Sequence, residues 1–186
     1  MQRRLFWLDA AVKALLIGLL LFSVTSGLDR FNGKAMTARA LTYPLAALIV
    51  PVAWRLRGRP RPYPYAIDIL VVLPFVIDTG GNVLDLYSLW WFDDVAHFLN
   101  WWILVSAFAL ALQRTSLGRL PSWSIAVGFG AVTEILWELG EYTVMKLGSS
   151  GLQLTYEDTI GDLALGGAGT LLGATLVSVA WRHSRS

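Results

Sequence analysis

The sequence predicts an all-α protein, a polytopic membrane helix bundle with about six transmembrane helices. Hydrophobic residues make up 55% of its 186 residues and charged residues only 15%. Soluble domains carry roughly 25% charged residues. The apolar residues fall into several runs of about 20, the length of a helix that crosses a bilayer. These runs fill the chain, so we expect residues 1–186 to form a single integral membrane domain.

Basic or turn-forming residues separate the apolar runs and so set the predicted spans. The spans cover about residues 10–28, 38–54, 65–81, 91–112, 122–145 and 158–181. The first span follows Arg3 and Arg4, a pattern that it shares with signal peptides. A small-residue cleavage site and a secreted domain do not follow it, so we expect a retained helix.

Lysine and arginine are unequally divided between the two sides of this predicted bundle. The termini and the second and fourth connections hold ten of them, whereas the first, third and fifth connections hold four. Because cytoplasmic segments carry the excess of positive charge, this division places both termini in the cytoplasm. The basic residues thus indicate orientation, and we expect no nucleic-acid partner.

Ionisable residues recur inside the last three predicted spans, where each charge costs roughly 2.5–3.5 kcal/mol. They stand three or four residues apart, so that each span presents them on one helical face. The set is Asp93, Asp94, His97, Glu134, Glu138, Glu141, Asp158 and Asp162. In the predicted topology they lie in the outer third of the bilayer, with Glu134 nearer to mid-depth. We expect the three faces to point into the bundle and to meet.

So many carboxylates beside one histidine require compensation, either by protonation or by a bound cation. A divalent metal ion is the simplest compensation. Oxygen ligands suit magnesium, manganese or calcium, and carboxylates with a histidine also suit iron or zinc. The predicted metal ligands are Asp93, Asp94, His97, Glu138, Glu141, Asp158 and Asp162. His97 is also a candidate general base and Glu134 a candidate proton carrier. The alternative is a buried hydrogen-bond network that only fixes helix packing.

Three acidic residues outside this set have simpler predicted roles. We expect Asp78 and Asp85 to be solvated charges at the outer surface, and Asp68 to pair with the arginine cluster of residues 55–61. The sequence contains no cysteine, which excludes a disulfide framework and a thiolate metal site. Glycines in the last span, including the Gly169/Gly173 pair, are expected to allow close helix contact.

Three short motifs carry a family resemblance. They are Phe-Asp-Asp-Val-Ala-His-Phe at 92–98, Trp-Glu-Leu-Gly-Glu-Tyr at 137–142 and Glu-Asp-Thr-Ile-Gly-Asp at 157–162. In this order the chain resembles the YjdF-like bacterial inner-membrane proteins over about residues 65–176, a family without an assigned biochemical function. The family pattern falls on Asp93, His97, Glu138, Glu141, Asp158, Asp162 and Gly166. The resemblance implies a multi-pass protein of the bacterial cytoplasmic (inner) membrane and supplies no reaction.

Three function hypotheses remain open. The first is a membrane-embedded, metal-dependent enzyme that acts on a lipid or lipid-linked substrate. The second is a small transporter or channel for a cation or for protons, with the same carboxylates as its coordination sites. The third is a non-catalytic accessory protein. The bilayer is the one partner that the composition implies, and neither the substrate nor the oligomeric state follows from the sequence.

Overall fold

The computed structural model describes residues 1–152 and 154–184, and their side chains as far as residue 180. The described residues form helices joined by turns, which confirms the predicted all-α fold. The seven α-helices are α1 (Gln2–Thr25), α2 (Met36–Thr42), α3 (Ala46–Leu56), α4 (Tyr65–Val83), α5 (Phe92–Leu112), α6 (Arg119–Lys146) and α7 (Tyr156–Ser184). Short 3₁₀ helices lie at Asp29–Phe31, Tyr43–Leu45, Leu86–Ser88 and Ser150–Leu152.

These helices make six passes. Helices α2 and α3 form one pass, because the 3₁₀ turn at Tyr43–Leu45 joins them with little change of direction and has Pro44 in its first positions. By length and composition five passes can cross a membrane: Gln2–Thr25, Met36–Leu56, Tyr65–Val83, Phe92–Leu112 and Tyr156–Ala180. Helix α6 has 28 residues, which at about 1.5 Å per residue is also long enough. Its three glutamates set it apart from the other passes.

The predicted spans agree with the observed passes except at the start of the chain. Helix α1 begins at Gln2, whereas the first span was predicted to begin near residue 10. The two arginines at positions 3 and 4 belong to its first turn, because a helix continues beyond the apolar run that its hydropathy reveals. The other ends differ by a few residues, as expected for helix termini.

The two ends of the bundle differ in charge. At one end, called the site end, α1, α4 and α6 finish and α2, α5 and α7 begin. The opposite end, called the basic end, carries the arginine-rich connection 57–64 between α3 and α4. At the site end two loops touch, since the Gly151 N–H donates to the carbonyl oxygen of Gly33 at 3.1 Å. The even number of passes agrees with termini on one side; that this side is cytoplasmic stays a prediction.

The closest helix pair is α5 with α7, and glycine makes this approach possible. A Cβ at Gly173 would lie 2.6 Å from the Trp102 carbonyl oxygen, and one at Gly169 would overlap the Phe98 carbonyl oxygen. The backbones of the two helices are therefore in direct contact, which confirms the packing role predicted for these glycines. Helix α1 packs mainly on α4, and α6 packs against both α7 and α5. This arrangement brings the polar faces of α5, α6 and α7 together.

Candidate functional site

The His97 side chain, 8% exposed, is the centre of the polar cluster. Its Nε2 atom lies 3.8 Å from Asp93 Oδ1 and 3.7 Å from Asp162 Oδ1. Its Nδ1 atom lies 3.9 Å from Glu138 Oε1. Carboxylates from α5, α6 and α7 thus surround one imidazole, as the helical spacing predicted.

Two groups of side chains offer ligand atoms close enough to share a metal ion. In each group the atoms lie within 4.8 Å of one another. The groups are Asp93, His97 and Asp162, and His97, Glu138 and Glu141. Ligands about 2.1 Å from a common ion lie roughly 3–4.2 Å apart, so the measured separations around His97 fit such an ion without a large rearrangement.

The remaining predicted residues lie around these groups. Asp158, half-buried, stands one turn before Asp162 and lines the adjoining cavity. Asp94 is exposed on α5 and belongs to neither group. Glu134 is 2% exposed and lies deeper in the bundle, where a Cβ at Gly166 would overlap its carboxylate. The structure therefore brings five of the seven predicted ligands into these groups, places Asp158 beside them and leaves Asp94 outside. Glu134 remains a separate buried carboxyl group.

Several polar atoms of the cluster lack hydrogen bonds. Among the described residues, no partner is found for His97 Nδ1, for either carboxylate oxygen of Glu138 or for Glu134 Oε1. A buried polar group left unpaired costs about 1–3 kcal/mol, and a charged one costs more. With Glu138 only 7% exposed, the arrangement calls for a cation or for proton sharing.

A cavity of about 110 Å³ adjoins the cluster at the site end. Asp93, His97, Glu141 and Asp158 form its polar wall. Its apolar wall includes Pro74, Phe75, Ala96, Trp101, Leu104 and Trp137. A water molecule needs roughly 10–15 Å³ of such volume, so the cavity holds several waters or a small chemical group. It does not hold a complete lipid, which would have to enter from the bilayer or the loop side.

A second polar network, which the sequence did not reveal, forms another wall of the cavity. Asp78 on α4 accepts hydrogen bonds from the Tyr43 hydroxyl at 2.7 Å, the Tyr87 hydroxyl at 2.8 Å and the Arg39 guanidinium. Arg39 Nη2 also lies 3.7 Å from Glu141 Oε1. The expectation that Asp78 is solvated is therefore wrong: it is 4% exposed and fully engaged.

Tyr87, in the connection between α4 and α5, responds to this network. Burial, reinforced by the negative charge of Asp78, raises the pKa of the Tyr87 phenol well above its usual value. The hydroxyl therefore remains a hydrogen-bond donor to Asp78 throughout the ordinary pH range. One sequence signal for the network was available: Arg39 and Tyr43 stand four residues apart at the start of an apolar run, on one helical face.

A third cluster lies toward the basic end and corrects the role expected for Asp68. This side chain is fully buried and accepts a hydrogen bond from Lys13 Nζ at 2.6 Å and another from the Tyr63 hydroxyl. Lys13 Nζ also lies 3.0 Å from Asp9 Oδ2 on the same helix. Asp68 thus pairs with a lysine inside the first pass, and the prediction of pairing with the 55–61 arginine cluster is wrong. A lone lysine within an apolar span was the signal for such a partner.

Comparison with known proteins supports the membrane assignment. No curated protein and no solved structure matches the chain. A family described as predicted membrane protein (DUF2238) matches residues 11–183. This agrees with the coarse form of the family resemblance, a multi-pass membrane protein, while the YjdF-like name stays a prediction. Because the match covers most of the sequence, the chain belongs to the DUF2238 family of predicted membrane proteins.

Proposed function

We propose that this membrane protein binds a divalent metal ion at the His97 cluster and uses it as an enzyme on a lipid-type substrate. The observation that carries the proposal is the meeting of Asp93, Glu138 and Asp162 around one buried imidazole, with polar atoms of that set left without hydrogen bonds in the described residues. Three helices contribute to the set, so the fold itself assembles it.

The donor set fits a metal ion by its chemistry. Carboxylates with one imidazole suit zinc, iron or manganese. A divalent ion would offset two of the carboxylate charges around His97. Arg39 does not offset these carboxylate charges, because its own charge is already paired with Asp78. A bound ion therefore accounts for the excess of acidic groups, which protonation alone would leave neutral and weakly paired.

The cavity supports an enzyme. A bound divalent ion supplies a Lewis acid and an activated water at neutral pH. The cavity joins the polar wall of the cluster to an apolar wall that includes Phe75 and Trp137, a combination suited to the boundary between a lipid head group and its chains. His97 serves as a ligand here, since carboxylates lie on both sides of its ring. The described cavity wall includes neither Glu134 nor Glu138, so Glu134 would exchange protons with the His97 cluster through Glu138, one helical turn away.

A carrier for a cation or for protons is the second candidate. The buried Lys13–Asp68 pair toward the basic end favours it, since it adds ionisable groups on the other side of the bundle. Against it, a packed apolar core that includes Leu16, Leu20 and Val72 lies between that pair and Asp78. Asp68 and Asp78 are ten residues apart on α4, about 15 Å along the axis. An ion would need that core to open.

Metal content tests the proposal first. We expect the chelator-free wild-type protein, after incubation with Zn²⁺ or Mn²⁺ and desalting, to retain about one ion per chain by elemental mass spectrometry. The double variant His97→Ala/Glu138→Ala should retain none. The matched control is Glu157→Gln, an exposed carboxylate at the start of α7, which should retain the wild-type amount. An ion-free wild type would refute the metal proposal.

Turnover and flux then separate enzyme from carrier. The metal-loaded protein is incubated with a membrane lipid extract in detergent, and the lipids are followed by mass spectrometry. We expect product species that depend on the metal and on His97 and that persist in Glu157→Gln. In a parallel measurement, proteoliposomes report proton or divalent-cation flux with internal dyes. Flux without turnover would favour the carrier, and neither activity in a metal-loaded protein would favour the accessory hypothesis.

A further inference from the structure

The two nitrogens of His97 face different environments. Nε2 faces Asp93 and Asp162, at 3.8 and 3.7 Å, and Nδ1 faces Glu138 at 3.9 Å. A neutral imidazole has one N–H donor and one lone pair, so the two sides cannot serve the same purpose. Which nitrogen carries the proton decides which carboxylates can share a metal ion with the ring.

The cavity distinguishes the two sides. Asp93, on the Nε2 side, and Glu141, which shares a ligand group with Glu138, both line it with His97, whereas the described lining includes neither Asp162 nor Glu138. Glu138 approaches the ring from within the bundle, on α6, and is almost fully buried. A metal on the Nε2 side would therefore reach the cavity beside Asp93. On the Nδ1 side the carboxylate in the cavity wall, Glu141, already lies 3.7 Å from Arg39 Nη2.

The unpaired atoms lead to the same division. His97 Nδ1 and Glu138 Oε1 both lack a hydrogen-bond partner in the described part of the chain, and they lie 3.9 Å apart. A closer approach of about 1 Å would pair them as an N–H donor and a carboxylate acceptor. That bond leaves the Nε2 lone pair directed at the carboxylates of Asp93 and Asp162, an arrangement that is repulsive unless a cation lies between them.

We propose, on the basis of the metal site proposed above, that the ion binds Nε2 of His97 together with Asp93 and Asp162. Glu138 is then a positioning residue that accepts the Nδ1–H and fixes the ring. A metal-bound histidine usually donates its other N–H to a carboxylate or carbonyl in this way, and loss of such a partner lowers metal affinity by roughly 10–100-fold. Glu141 stays with Arg39, whose Nη2 lies 3.7 Å from it.

Nitrogen NMR of the histidine ring tests this assignment directly. The protein contains two histidines, so a ¹⁵N-histidine-labelled sample with and without Zn²⁺ gives a simple long-range ¹H–¹⁵N correlation spectrum. The His97→Gln variant identifies the signals of His97. We expect the Nδ1–H tautomer in the loaded protein, with the Zn²⁺-induced shift confined to Nε2. A shift on Nδ1 with the proton on Nε2 would overturn the inference and leave the metal site intact.

Zn²⁺ affinities of the variants provide an independent readout. Glu138→Gln keeps an oxygen acceptor for the Nδ1–H, so it should retain the Nδ1–H tautomer and bind Zn²⁺ no more than about 10–100-fold more weakly. Asp162→Asn should lose stoichiometric binding, and Glu157→Gln should match the wild type. The reverse ranking, with Glu138→Gln the more damaging, would show that Glu138 is a ligand. A wild type without any Zn²⁺-dependent shift would refute the proposed metal site itself.

Discussion

Replacing Gly173 with alanine tests the close contact between α5 and α7. The new Cβ would lie 2.6 Å from the Trp102 carbonyl oxygen and 3.0 Å from the Ser106 hydroxyl, whereas ordinary van der Waals contact begins at 3.4 Å. The two helices must therefore separate locally by up to about 0.8 Å, and a gap of roughly that size forfeits a quarter to a half of the surrounding dispersion energy. Overpacking of this kind costs about 1–3 kcal/mol.

The matched variant is Gly167→Ala on the same helix, where no described heavy atom beyond the adjoining residues and backbone of α7 itself lies within 4 Å of the new Cβ. Both substitutions gain about 0.5–1 kcal/mol of helix propensity, so the difference between them isolates the steric term. We expect Gly173→Ala to melt about 2–12 °C below Gly167→Ala in detergent, at roughly 2–4 °C per kcal/mol. Thermal unfolding followed by circular dichroism measures this. Coincident melting curves would refute the close helix contact.

Three other predictions concern the polar groups. Arg39→Met should destabilise the protein by about 3–5 kcal/mol, because it leaves Asp78 buried without its cation, and Asp78→Asn in the same chain should recover part of that loss in denaturant unfolding. The folded-state pKa of Tyr87 lies above the roughly 10 of a free tyrosine. The stability that Tyr87 contributes is therefore full below about pH 10 and is lost as the pH rises through the folded-state pKa. Tyr87→Phe should flatten this decline in a pH series of melting curves. Asp94→Asn should keep the bound metal that Asp162→Asn loses in elemental analysis; equal loss would return Asp94 to the ligand set.

The fold and the centre of the site follow from sequence because both rest on short-range patterns. Apolar runs of bilayer length defined the passes, and the three- and four-residue spacing of the glutamates on α6 placed them on one face. The same rule placed Asp93 with His97 and Asp158 with Asp162. Since all three faces carried charge, the need to remove them from hydrocarbon was enough to predict that they meet.

The predictions for Asp78 and Asp68 were wrong because the partner of each charge is far away in the sequence. Asp78 was expected in solvent because it stands near the end of an apolar run, and the partner that buries it, Arg39, is 39 residues away on another pass. Asp68 was expected to pair with nearby arginines, whereas its lysine partner lies 55 residues earlier. Spacing along one helix carries no information on which passes become neighbours. A charge inside an apolar run indicates that a partner exists without identifying it.

The pairing of Arg39 with Asp78 has a consequence for how the chain is inserted during synthesis. Helix α1 enters the bilayer with Asp9 and Lys13 already paired within one turn, so it carries its own counterion. Helix α2 does not, because the partner of Arg39 is made only when α4 leaves the ribosome. Arg39 lies near the end of its pass, where an uncompensated arginine costs less than the roughly 2.5–3.5 kcal/mol of the bilayer centre. The Arg39–Asp78 pair can therefore form only after the third pass has been made, so the second pass gains its counterion later than the first.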